Sequence, residues 1–436
     1  MINKVIPLEY RDLHDPDYTQ MNGEETTNFL NQALRKLLER VGQHSPFYQK
    51  KFKEKGYDLK KFGGMVEFEN LPFTYKDELR EVYPLGLQAV PEHEVVRIHS
   101  SSGTTGKPVI IPYTKKDIYD WSVMFARCYA LAGVIREDRV QITPGYGLWT
   151  AGIGFQAGVE RLGAMAIPMG PGNTEKQIQM MLDLKSTVLC STSSYALLLA
   201  EEIQKRKLRD RIHLRTGIIG SERWGEKMRD RIENELGVES FDIYGLTEIY
   251  GPGIGIDCKF HQGIHYWSDH LYFEIIDPVT GKNLPDGELG ELVITTLTKE
   301  GAPLIRYRTR DLTRIIPGVC PCGSIYPRID RILGRSDDMI KIKGVNIYPG
   351  QIEDVLKETK GASSEYQVNL TRVDARDHML LRVEAEAGLD PKQLAERIGA
   401  NFKKRIGILI DVQVVSLGEL PRSEKKSKRV LDERDI

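Results

Sequence analysis

The chain has 436 residues, 40% of them hydrophobic, enough for two to four domains with sizeable cores. With 61 Lys and Arg against 62 Asp and Glu, the formal net charge of −1 leaves no bulk attraction for a nucleic acid or an anionic membrane. Five cysteines are too few for a disulfide scaffold, the opening residues lack the apolar core of a signal peptide, and no run approaches the ~18 apolar residues of a membrane span, so a reducing cytoplasm is the expected compartment.

Residues 1–80 read as mainly helical. Between Glu24 and Arg40, the apolar Phe29, Leu30, Ala33, Leu34, Leu37 and Leu38 recur at helical spacing. From 95 to 335 short β-rich runs (VVRIHS, DRVQITP, AMAIPM, STVLCSTS, TGIIGS, SFDIYG) read as buried strands, separated by helical segments such as 115–132, 175–185 and 195–207. That alternation is the pattern of a parallel α/β sheet. From Leu271 the pattern changes to antiparallel hairpins, with turns at Val279–Gly281 and Pro285–Gly287. From about 338 a turn into a helix, two strands, a second helix and a last strand read as a small α+β domain. The expected division is therefore 1–336 and 337–436, an α/β large domain with mixed sheets and flanking helices followed by a small α+β domain.

Immediately after VVRI comes His99-Ser100-Ser101-Ser102-Gly103-Thr104-Thr105-Gly106-Lys107-Pro108. Its hydroxyls and close backbone N–H groups suit the wrapping of polyphosphate oxygens. It is not a Walker A loop: the glycines are three apart and Pro follows Lys, which argues against a kinase or P-loop ATPase.

SSSGTTGKPV resembles the phosphate loop of the adenylate-forming superfamily of acyl-CoA synthetases, peptide-synthetase adenylation domains and luciferases. FDIYGLTE at 241–248, YRTRD at 307–311 and GRSDD at 334–338 follow in that superfamily's order. A finer similarity is to phenylacetate–CoA ligases, carried by GYGLWTAGIG at 145–154, ERLGAMAIPM at 160–169, NTEKQ at 173–177, DIYGLTEIYGPG at 242–253, IIDPVTGKNLPDGELGELVITTLTKE, GRSDDMIKIKGVNIYPGQIE and LPRSEKKSKRV.

The resemblance implies ATP-dependent joining of an aryl acid to coenzyme A through an acyl-adenylate. In that reaction an anionic carboxylate attacks an anionic α-phosphate, so a site must neutralise charge and align the two groups. By resemblance Ser101, Ser102, Gly103, Thr104, Thr105, Gly106 and Lys107 hold the β- and γ-phosphates. Thr247 bonds the α-phosphate, and Glu248 holds Mg²⁺, a hard cation that prefers oxygen ligands. Tyr244, within Asp242-Ile243-Tyr244-Gly245, stacks on adenine. Gly220, Ser221 and Glu222 border the base, Asp311 accepts from the ribose hydroxyls, and Arg335 completes the nucleotide set. Lys426 is the catalytic cation of the small domain. The family carries Gly-Lys where this chain has Lys425-Lys426, which stiffens the loop. A hinge near Asp337 would exchange Lys426 for Lys343 and Gly344 in the thioester-forming step. Tyr146, Gly147 and Trp149 resemble the lining of the aryl pocket, with Trp149 where the family often has Phe.

Cys320-Pro321-Cys322-Gly323 places two thiols in one turn, and Cys258 lies upstream near His261, His265 and His270. Cys258, His265, Cys320 and Cys322 would make a tetrahedral zinc site of structural type, with His261 the competing fourth ligand. The partners expected are the acid, ATP and CoA, with no nucleic acid or membrane; a homodimer is implied by the resemblance alone. Two other readings compete: an enzyme that loads a carrier protein, and a non-catalytic zinc-containing scaffold.

Overall fold

The computed structural model describes residues 12–101, 107–342, 345–373, 376–385, 388–422 and 429–434. The first long helix, Gly23–His44, begins with a reciprocal cap: Asn22 accepts from the N–H of Glu24 and Glu25, and Glu25 accepts from the N–H of Asn22. Leu34, Leu37, Leu38 and Val41 are its buried face, each worth roughly 2 kcal/mol against exposure. The helix Lys115–Leu131 is capped in the same way by Thr114 and Asp117. It is buried along most of its length and packs against the helix Ala151–Leu162.

The chain forms two compact units: Met1–Gly170, Ser186–Cys190 and Phe241–Arg331 in one, Pro171–Lys185, Ser191–Ser240 and Ile332–Ile436 in the other. In the first, Arg139–Ile142 pairs in parallel with Met165–Pro168 and Val188–Thr192, as the βα alternation predicts. The hairpin pattern from Leu271 also appears as expected, with Leu271–Ile276 antiparallel to Gly290–Thr296 and that strand antiparallel to Tyr307–Thr313. Asp277 makes the first turn by accepting from the N–H of Val279 at 2.9 Å and of Thr280 at 2.6 Å.

Two antiparallel pairings lie outside the expected parallel arrangement. Arg97–Ser100 is antiparallel to Ile110–Tyr113, with Ser100 opposite Ile110; this return is too short for the crossover of a dozen or so residues that parallel strands need. Glu239–Leu246 is antiparallel to Gly251–Asp257, because only the turn Thr247–Tyr250 joins them.

In the second unit the strand order is Asp411–Val415, Arg376–Ala385, Ala362–Val373, Val430–Asp432. The helices Pro349–Glu358 and Pro391–Ile406 complete the small core, with Ile352, Val355, Leu356, Leu394, Ile398 and Phe402 buried against Val368, Leu370, Leu381 and Val383. This is the α+β arrangement read from the sequence. Among the described residues no helix is long and apolar enough to cross a membrane.

Candidate active site

The hairpin Glu239–Leu246 and Gly251–Asp257 carries Asp242, Tyr244, Gly245, Thr247 and Glu248. Its strands cross so closely that a Cβ on Gly245 would lie 2.0 Å from the carbonyl oxygen of Gly251. Only glycine fits there, and the close crossing fixes Tyr244 before the turn and Glu248 within it. The Tyr244 hydroxyl donates to Asp311 Oδ2 at 2.6 Å, and both side chains are buried. Asp311 stands on Tyr307–Thr313, where its N–H donates to Thr309 Oγ1 at 3.0 Å. Two buried bidentate pairs steady that region: Arg306 with Glu274, and Arg308 with Glu291. Two arginines of the YRTRD neighbourhood are thus engaged with acids of the neighbouring strands.

Glu248 is 4% exposed; its Oε1 lies 3.0 Å from Lys76 Nζ, yet makes no hydrogen bond among the described residues. A buried, under-satisfied carboxylate oxygen is the donor chemistry that a hard cation seeks. Thr247 Oγ1 is 3.4 Å from Thr150 Oγ1, and Asp242 N–H donates to Asp257 Oδ1 at 2.8 Å. Nearby, Lys299 is fully buried; burial pushes its ammonium down to about 7, against the pull of the Asp117 and Glu248 carboxylates.

Ser101 ties off the hydroxyl-rich loop: its N–H donates to Val109 O, and its Oγ accepts from Val109 N–H, both at 3.0 Å. Lys107 is exposed beside the Tyr83 ring. Ser102, Gly103, Thr104, Thr105 and Gly106 lie outside the described residues, as do Lys343, Gly344 and Lys426. The Tyr146 hydroxyl is buried with no hydrogen-bond partner among the described residues, and burial raises its pKa. Its ring lies so close to Gly152 that a Cβ there would meet Cδ2 at 2.6 Å. Gly147 has a positive φ of 95°, and Trp149 is 51% exposed. His99, at the end of its strand, approaches Leu148 O at 3.2 Å, and burial lowers its pKa to about 4.

In the second unit Glu222 Oε2 accepts from Ser194 N–H at 2.9 Å and Ser193 Oγ at 3.1 Å, anchoring the turn after Thr216–Gly220 to the helix Ser193–Lys205. Ser221 has a φ of 67°, a strained value for a non-glycine residue. Arg335 is bidentate to Asp337, with both contacts at 2.8 Å. On either side of the segment bearing Lys426, Arg422 pairs with Glu384 and Glu201, and Arg429 with Glu365.

Cys258, His265, Cys320 and Cys322 converge, with their ligand atoms all within 4.8 Å of one another. The Cys258 and Cys320 sulfurs are 3.7 Å apart, and Cys322 Sγ is 3.4 Å from His265 Nε2. A tetrahedral site with metal–sulfur bonds near 2.3 Å and a metal–nitrogen bond near 2.05 Å has edges of about 3.8 and 3.6 Å. His265 Nδ1 faces Tyr326 O at 2.9 Å, which directs Nε2 toward the sulfurs. His261 instead pairs with Asp257 at 2.9 Å. The thiol of Cys322 is held below its ordinary value, first by hydrogen bonding with Cys258.

Residues 33–298 match the model of the AMP-binding enzyme family, and residues 344–434 that of the AMP-binding enzyme C-terminal domain. Phenylacetate-coenzyme A ligases of Pseudomonas putida and Escherichia coli are 43% and 42% identical to this chain. These alignments cover 97% and 95% of this chain, and 98% and 96% of the relatives. The chain belongs to the phenylacetate–CoA ligase family. Its adenylate-forming fold is shared with a crystal structure of 2-hydroxyisobutyryl-CoA ligase in complex with 2-HIB-AMP, at a TM-score of 0.88 and 28% identity over 98% of this chain and 97% of that one.

Within this family member, Tyr244 and Asp311 come together directly, and the four metal-ligand candidates form one cluster. Lys76 and Lys299 were missed by the sequence reading: each is a single lysine in an ordinary-looking stretch, and only the folded hairpin brings them to Glu248.

Proposed function

We propose that this chain activates a phenylacetate-like aryl carboxylic acid with Mg²⁺ and ATP and transfers the acyl group to coenzyme A. It is an AMP-forming acid–CoA ligase, as its full-length family relatives support. A carboxylate oxygen attacks the α-phosphorus and pyrophosphate leaves. The thiol sulfur then attacks the carbonyl carbon, AMP leaves, and the thiol proton passes to water.

The observation that carries this reading is the hairpin whose strand holds Tyr244, hydrogen-bonded to Asp311, and whose turn holds the buried Glu248. Tyr244 offers its ring face to adenine while its hydroxyl pins Asp311 for the ribose. Glu248 supplies the oxygen for Mg²⁺, which neutralises phosphate charge when bound, and Thr247 stands beside the α-phosphate. Ser101 to Lys107 hold the outer phosphates, Gly220 to Glu222 border the base, and Tyr146, Gly147 and Trp149 line the acid pocket. Residues 337–436 act as a mobile domain about Asp337, presenting Lys426 for adenylation and Lys343 and Gly344 for thioester formation. Cys258, His265, Cys320 and Cys322 hold a structural zinc ion.

Pyrophosphate release over a panel of aryl and short aliphatic acids, with and without CoA, tests the reading. Release with phenylacetate, completed by CoA-dependent AMP and thioester, is expected; release insensitive to CoA would favour the loading of a carrier protein instead.

A further inference from the structure

Lys299 is 1% exposed, and among the described residues no carboxylate oxygen lies within ion-pair distance of it. Its Nζ donates to the carbonyl of Ile249 and stands 3.5 Å from the carbonyl of Glu248. It also lies 4.5 and 4.7 Å from the ring centres of Tyr113 and Tyr250. Burying an ammonium costs several kcal/mol; two carbonyls and two aromatic faces offset part of that. An apolar side chain of similar volume would avoid the cost altogether, so stability alone does not account for a lysine here.

The backbone that Lys299 holds belongs to the turn Thr247–Tyr250. The next carbonyl along, that of Tyr250, accepts from the Tyr113 hydroxyl at 2.9 Å. Three successive carbonyls of the turn are therefore bound from beneath. The lysine's own backbone is fixed in turn by Asp117, which accepts from Glu300 N–H at 2.7 Å and Gly301 N–H at 2.8 Å. By contrast, among the described residues the Glu248 carboxylate has only the ion pair with Lys76. Its aim is set mainly by the backbone beneath it.

We propose that Lys299 is a positioning residue for Glu248, clamping the carbonyls of Glu248 and Ile249 so that the carboxylate meets the magnesium ion of bound Mg·ATP. This rests on the ligase reading above. Partners that orient a metal-binding carboxylate typically change metal affinity by about ten- to a hundredfold when removed.

The test is calorimetric titration of ATP, with Mg²⁺ and with EDTA, into the wild-type protein, Lys299→Met and Lys299→Gln. Melting curves and the KM for Mg²⁺ against kcat are measured alongside. Lys299→Met should lower the preference for Mg·ATP over metal-free ATP by about tenfold or more, while metal-free ATP binding and the melting curve stay at wild-type level. Lys299→Gln, which keeps a donor at shorter reach, should fall between. If Lys299→Met loses its folded transition, the glutamine variant carries the same comparison. An unchanged preference, or equal loss with and without Mg²⁺, overturns the proposal. Failure of the wild-type protein to bind Mg·ATP overturns the ligase reading first, and is seen without any variant.

Discussion

Cys320→Ser is the substitution that most directly probes the proposed zinc site. Serine keeps the shape of the turn but replaces a thiolate by a hydroxyl that zinc does not favour. The cluster joins Cys258 to Cys320, 62 positions apart. Cross-linking a loop of that length removes about 4 kcal/mol of unfolded-chain entropy. That value is an upper bound, since residual structure in the unfolded chain and zinc binding to unfolded cysteines both reduce it. A loss of roughly 2–4 kcal/mol corresponds to a fall in Tm of about 4–7 °C for a unit of this size. Metal content by mass spectrometry, with thermal melts before and after chelation, measures both quantities. Well below the lowered Tm, pyrophosphate release should continue near the wild-type rate. Wild-type protein without stoichiometric zinc, or a variant that keeps both its zinc and its melting curve, would refute the reasoning.

Tyr244→Phe removes the 2.6 Å hydrogen bond to Asp311; a bond to a charged acceptor is worth about 1.5–3 kcal/mol, so the KM for ATP should rise by tenfold or more while the KM for the acid hardly moves, and an unchanged KM for ATP would count against the ribose role. Arg308→Met removes the bidentate partner of the buried Glu291, and a loss of about 3 kcal/mol in urea unfolding is expected. His99 has a folded pKa of about 4, below its ordinary 6.5; protonation therefore favours the unfolded chain, and its contribution is complete above pH 6.5 and lost as pH falls toward 4. At about pH 5 that loss is about 2 kcal/mol, and His99→Asn should flatten this part of the stability–pH curve. Lys426→Ala should cripple adenylate formation yet spare thioester formation from supplied acyl-adenylate; equal loss of both steps would sink the assignment.

Hydrophobic period was enough to place the helices and the small α+β core in the sequence, because those elements bury one face by local pattern. Leu34, Leu37, Leu38 and Val41 show it in the first helix. Strand direction was not legible at 95–100 or 241–257. A run such as SFDIYG looks the same in parallel and antiparallel sheets, and the deciding feature is the length of the return. The cluster of candidate metal ligands could be read from cysteine spacing, but the choice between His265 and His261 depended on which imidazole the fold turns inward. Lys299 was invisible, since nothing in TLTKE signals that its lysine is buried beneath a turn some fifty positions earlier.

The half-exposed indole of Trp149 has a practical consequence. Of the four tryptophans, Trp121 and Trp267 are each 1% exposed and Trp224 is 9%, whereas Trp149 is 51% exposed. Iodide should therefore quench one emitter far more than the other three, and the red edge of the emission belongs chiefly to Trp149. A ligand that settles beside the Tyr146–Trp149 stretch will shift that component and shield it from quencher, giving a built-in optical report of occupancy there that needs neither turnover nor label.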